Sequence, residues 1–242
     1  MKRPVQVLLL AITGIGLLHA ALFTDLYLRY VKEGLRPLLI VSGVLLVLLG
    51  LTGAARDRGR TEESGSAQHH DHSTAPRIAW LLFLPALSLL CYAPPALGAY
   101  TAARSNDKAV KERKAFDPLP ATSPLPITLT DFTTRVQRDR GLAVKGRTVQ
   151  MTGFATPAGQ GGGWYLTRII FTCCAADSQS VKVRMYGGEP PPANTWLTVT
   201  GTWHPKGTLG TPTAEAALDV GSTKRISPPV NAYTDDLPLL PS

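Results

Sequence analysis

The chain has 242 residues, 44% of them hydrophobic and 17% charged, with a formal net charge of +8. Three cysteines are too few for a disulfide scaffold. Six of the eight excess positive charges lie in residues 1–114, where they flank apolar runs and suit helix ends beside anionic lipid head groups. Residues 115–242 are close to neutral and carry no basic stripe, which excludes a nucleic-acid partner.

Three uncharged apolar runs come first in the chain: Val5–Phe23 and Pro37–Ala55, 19 residues each, and Ile78–Tyr100, 23 residues. A bilayer core takes roughly 20 apolar residues of helix, so each run predicts a membrane span. A cleaved signal peptide is the alternative for the first run, since MKR is a suitable positive start. Two further spans follow it, however, and it is longer than a typical signal core. The third run holds Pro85 and Pro94-Pro95, expected to kink and then end its helix, and Cys91, which reads as a small packing residue.

Three spans place the two tails on opposite sides of the bilayer. Basic residues near the ends of the spans are almost evenly divided, but Lys2, Arg3 and the terminal amine outweigh Asp25 and Arg29 across the first helix. The expectation is an N-terminus inside, an extracytoplasmic C-terminal domain and a plasma-membrane location.

Residues 56–77 form a polar loop, RDRGRTEESGSAQHHDHSTAPR. Residues 104–126 form a basic, proline-rich linker ending in FDPLPATSPLP. A second domain, 127–242, reads mostly as β structure. Thr130 is a candidate cap for a short helix with Phe132 and Val136 one turn apart. Strands are predicted over TVQMTGFAT (148–156), WYLTRIIFT (164–172), SVKVRMY (180–186) and TWLTVTGTW (195–203), with a fifth within AALDVGSTKRI. GQGGG (159–163) is a hairpin loop. Five short strands, a small helix, and Gly153 and Gly201 inside strands suit a small OB-like barrel, with a small β-sandwich as the alternative.

FTCCAAD (171–177) closes the second of these strands. Adjacent residues of a regular strand face opposite ways, so Cys173 and Cys174 can act together only if the strand breaks there into a turn. Asp177 and Ser178 supply turn chemistry. Two thiolates and a carboxylate would then suit zinc or another transition metal, with His204, the one histidine of the β domain, as fourth ligand. The plainer reading is two small cysteines ending a strand, with Asp177 capping the turn. HHDH, residues His69, His70, Asp71 and His72, is a second and weaker metal tract. The sequence shows no Ser-His-Asp set and no phosphate loop, so no enzyme is expected. A thiol-redox protein using Cys173 or Cys174 is the catalytic alternative.

The order of parts completes the reading. Three spans, a His-containing loop, a proline-rich connector and a β domain with LTRIIFTCCAAD, WLTVTGTW and the closing PPVNAY (228–233) together resemble the YcgQ-type family of permease subunits. The most specific match is the Cys-Ala-Ala-Asp core at 174–177. The resemblance implies a β-rich, OB-like C-terminal domain, no catalytic residues, and a multi-span permease partner of the YraQ/YcgR type. This chain would be the accessory subunit, embedded in the lipid bilayer and handling a metal ion or other small solute. The alternative is a membrane-tethered module that binds a ligand or senses it without transport.

Overall fold

The computed structural model describes residues 3–61, 96–105, 115–159 and 162–237. They divide into two compact units.

The first unit contains two helices, α1 (Arg3–Phe23) and α2 (Arg36–Thr61). The stretches Gln6–Phe23 and Glu33–Ala55 are long and apolar enough to cross a membrane. Leu8, Ile12, Ile15, Leu45 and Leu48 stay exposed, which lipid tolerates and water does not. The helices pack antiparallel through small residues. A Cβ on Gly14 would lie 2.8 Å from the Gly43 carbonyl oxygen, and one on Gly50 3.3 Å from that of Val7. Such close backbone approach is how apolar helices gain contact where no hydrophobic effect drives them together. Helix α2 continues to Thr61, so the predicted polar loop starts later than residue 56. The rest of that loop, with His69, His70, Asp71 and His72, lies outside the described residues, as does nearly all of the third apolar run with Cys91.

The second unit spans residues 97–242 together with Leu28–Lys32. It starts well before Ile127. The last residues of the third apolar run are not membrane helix but belong here: Ala99 opens a short helix, α3 (Ala99–Arg104), and both Ala99 and Ala102 are buried. The proline-rich stretch is also fastened to the domain. Arg147 donates to the carbonyls of Pro120 and Thr122, and Arg135 to that of Asp117.

The sheet is six-stranded and mixed, built from β1 (Leu125–Pro126), β2 (Thr148–Pro157), β3 (Trp164–Ile170), β4 (Gln179–Tyr186), β5 (Trp196–Trp203) and β6 (Ala217–Arg225). Strand β1, not foreseen from the sequence, runs parallel to β2. Strand β2 pairs antiparallel with both β3 and β5, β3 with β4, β4 with β6 in parallel, and β6 with β5. The β2–β5 pairing brings the sheet back on itself. Alternating side chains fill its core, among them Val149, Met151, Leu166, Val183, Val199 and Leu218. Helix α4 (Leu129–Arg138) adds Phe132 and Val136, both fully buried. Its cap is Thr128 rather than Thr130: the Thr128 hydroxyl accepts from the Asp131 N–H at 3.0 Å. Leu129 is buried, so the helix has to begin early enough to carry it into the core.

A second apolar cluster holds Ala99, Ala102, Phe154, Ile169, Phe171 and Tyr233. Tyr233 stacks on Phe171, with ring centroids 4.6 Å apart and planes 6° from parallel, and its hydroxyl donates to the Leu97 carbonyl at 2.9 Å. The Phe171 N–H donates to the Tyr233 carbonyl at 3.1 Å. The chain is therefore anchored firmly at Phe171, immediately before the two cysteines.

Candidate metal centre

Strand β3 ends at Ile170, and β4 starts at Gln179. The connection between them is FTCCAAD and Ser178. It does break into a turn, with a single 3-10 turn at Ala175–Asp177. Asp177 organises it. Its Oδ1 accepts the N–H of Thr172 at 3.0 Å and of Cys174 at 3.3 Å, and its Oδ2 accepts the N–H of Cys173 at 2.7 Å. The Asp177 N–H donates in turn to the Cys174 carbonyl at 3.1 Å. One carboxylate thus ties three successive amides to itself and curls the dipeptide around it.

Curling puts both sulfurs on one side. Cys173 Sγ and Cys174 Sγ are 3.6 Å apart, a separation that extended neighbours do not reach. The Cys173 sulfur, the Cys174 sulfur and an Asp177 oxygen all lie within 4.8 Å of one another. Cys173 is exposed and Cys174 half-buried, and both are free thiols. With metal–sulfur bonds of about 2.3 Å, sulfurs 3.6 Å apart subtend roughly 100° at the metal, close to a tetrahedral angle.

The electrostatics are those of a thiol hydrogen-bonded to a carboxylate. The Cys173 thiol is pushed up to about 11, first by its hydrogen bond to Asp177, then by Cys174, burial and the charge of Asp177. Desolvation pushes the Asp177 carboxyl upward. The Cys173 N–H and thiol and the Thr172 and Cys174 N–H groups outweigh it and hold the carboxyl below its ordinary range. A carboxylate offers about four lone-pair positions. Three go to backbone amides, and the fourth faces the Cys173 thiol. Cys173, Cys174 and Asp177 are the residues that would hold a metal ion, which would displace the Cys173 proton.

His204 is not the fourth ligand. It follows β5, its Nδ1 lies 2.7 Å from Asp219 Oδ1, and its ring stacks on Tyr186 at 3.8 Å. Tyr186 is the last residue of β4, while the cysteine turn precedes the first. Eight residues of strand separate the two ends by about 25 Å. The structure gathers Cys173, Cys174 and Asp177 and leaves His204 at the opposite end, held by a partner that the sequence reading overlooked.

Residues 134–234 match the family described as the DUF1980 C-terminal domain. The match takes in the cysteine turn, strands β2 to β6 and Tyr233. It fits a YcgQ-type chain with a C-terminal domain of this kind. No curated protein and no solved structure matches the chain.

Sequence reasoning also missed Arg168. It is a lone charge in an otherwise apolar strand, WYLTRII, which was the available signal. Its side chain is buried, and its Nη2 donates to the carbonyls of Asn231 and Thr234. Burial lowers its pKa to about 10, offset in part by Asp235 and Asp236, so it stays cationic at neutral pH. Arg168 fastens the segment that carries Tyr233, and Tyr233 braces Phe171 at the entry to the turn.

Proposed function

We propose that the chain is a membrane-embedded accessory subunit of a two-component permease, and that its β domain captures a transition metal, zinc foremost, at Cys173, Cys174 and Asp177. The observation that carries the metal reading is the convergence of two sulfurs and a carboxylate within 4.8 Å on an exposed turn. Three protein ligands leave a fourth position open, which suits an ion that is taken up and passed on rather than one locked into the fold. The permease partner of the YraQ/YcgR type rests on the YcgQ-type resemblance, with which the matched C-terminal family agrees. The order of strand pairing, a ring of five with one parallel pair, supports an OB-type barrel as the scaffold.

Thiol-redox catalysis is the less favoured reading. A nucleophilic cysteine needs a depressed pKa, and Cys173 has a raised one.

The expected result is about one zinc per chain, purified in detergent without chelator. Cys173→Ser/Cys174→Ser should lose it, by elemental analysis, and the native chain should co-purify with a multi-span partner. Metal retained by the double variant would overturn the metal reading. Isolation of the chain alone under gentle detergent would overturn the permease reading.

Three membrane spans accompany this proposal. Residues Leu28–Lys32, between α1 and α2, belong to the same compact unit as the β domain, and Val31 bridges to Cys174. On this proposal the connector and the β domain share one side of the membrane, opposite the N-terminus. After α2 the chain has returned to the N-terminal side, so reaching the β domain needs one more crossing. The apolar run from Ile78 to Ala96 has 19 residues, long enough to make it. With the N-terminus inside, the β domain is extracytoplasmic. Fusions to a reporter active only outside the cytoplasm should report activity both at the connector and at the C-terminus. Opposite results at the two positions would refute the third span.

A further inference from the structure

The hydrogen bonds that hold the cysteine turn come from two sources. One is Asp177, described above. The other is the connector between α1 and α2. The Lys32 N–H donates to the Cys173 carbonyl at 3.0 Å, and the Ala175 N–H donates to the Tyr30 carbonyl at 2.7 Å. Between them Val31 faces Cys174 as an antiparallel bridge. The dipeptide is thus gripped on both edges. Asp177 holds its amides, and the connector takes the carbonyl before Cys174 and the amide after it.

This second grip is not needed to end a strand. The turn already closes through Asp177, and the Cys173 carbonyl and Ala175 amide, beside an exposed residue, could be left to water at little cost. What the connector adds is restraint of the two peptide units that flank Cys174, fixing its backbone in an extended pairing at φ −154° and ψ 176° while the sulfurs converge. Released from it, the backbone on either side of Cys174 is free to rotate to other angles, at which the two sulfurs need not converge. Restraining a site in its binding geometry raises affinity, because the ordering cost is met before the ligand arrives.

Resting on the metal reading above, the geometry points to the connector Leu28–Lys32 as a metal-responsive latch. It tightens the Cys173–Cys174–Asp177 site, and an ion bound there locks the connector onto the turn. The coupling is reciprocal: whatever factor the connector contributes to metal affinity, the metal returns to the connector's docking. The connector is continuous in sequence with α1 at one end and with the Glu33–Leu35 turn that leads into α2 at the other. Occupancy of the site is therefore felt at the segment that joins the two apolar helices. For an accessory subunit, this is a route by which a filled extracytoplasmic site changes the restraint on its membrane part.

The test uses the full-length chain in detergent, with zinc titrated against a chromophoric chelator. Lys32→Pro removes the N–H that binds the Cys173 carbonyl. Lys32→Ala keeps it and controls for loss of the side-chain charge. The expected result is native-like affinity for Lys32→Ala and affinity about five- to tenfold weaker for Lys32→Pro, since the ion then meets the ordering cost that the connector had met beforehand. Hydrogen exchange at the Lys32 and Ala175 amides should slow on adding zinc to the native chain and stay unchanged in Cys173→Ser/Cys174→Ser. Equal affinity for Lys32→Pro, with zinc-independent exchange in the native chain, would overturn the latch and leave the metal site standing. Failure of the native chain to bind zinc at all would remove the metal reading itself, and the latch with it.

Discussion

Zinc affinity of the intact chain is expected to rise about tenfold for each pH unit between about pH 6 and 8 on account of Cys173 alone. The metal binds thiolate, not thiol, so every proton that a ligand must lose contributes one decade of affinity per pH unit. The Cys173 thiol is pushed up to about 11 and is protonated across this whole window. The sign follows: a raised pKa makes the proton a stronger competitor, and raising the pH relieves the competition. Asp177 adds nothing to the slope. Its carboxyl is held below the ordinary range, so its support of the turn is fully present above the usual carboxylate pKa and is lost only as the pH falls through its lowered one. Competition titrations at pH 6, 7 and 8 would measure the slope, and Cys173→Ser should reduce it by one decade per unit. A flat profile in the native chain would mean that Cys173 is not a ligand.

Gly201→Val is expected to cost the β domain about 3 kcal/mol or more, an overpacking penalty at the upper end of its class. Gly201 lies in β5 where the register against β6 shifts between Thr200 and Gly201. A Cβ there would lie 2.1 Å from the Asp219 carbonyl oxygen and 2.9 Å from Leu218 Cδ2. The first of these is backbone in a paired strand and cannot turn aside as a side chain can. The bulge needs a residue with no side chain so that β6 can come close. Gly221, across the same irregularity, is the contrasting case. Its Cβ would meet the Thr200 carbonyl oxygen at 3.3 Å, tight but short of a collision, so Gly221→Ala should cost far less. Thermal unfolding in detergent distinguishes them. For a domain of about 100 residues, 3 kcal/mol lowers the midpoint by roughly 10–20 °C. A native-like midpoint for Gly201→Val would mean that β5 and β6 do not approach as described.

Local pattern determined much of this protein. Alternating Val181, Val183 and Met185 against Lys182 and Arg184 specified β4 within one residue, because one face of the strand is buried. Glycines inside β2 and β5 announced a sheet whose strands come close. Two uncharged runs specified α1 and α2, since length and apolarity alone qualify a helix for the bilayer. The turn at FTCCAAD was legible too, because the carboxylate that builds it lies only three to five residues from the amides it accepts.

Tertiary structure decided what depends on distant partners. His204 looked available as a ligand, yet a β strand is long enough to carry it away from the cysteines and toward Asp219. Arg168 was a lone charge in a strand until its acceptors, more than sixty residues onward, came to meet it. The start of the β domain at Leu97 depended on Ala99 and Ala102 finding Phe154, Ile169 and Phe171. The connector Leu28–Lys32 met the cysteine turn through backbone hydrogen bonds, which carry no side-chain signature in the sequence. Amphipathic period and turn chemistry act over a few residues and are written locally. Pairing across more than a hundred residues is settled only when the folded chain brings its unsatisfied groups together.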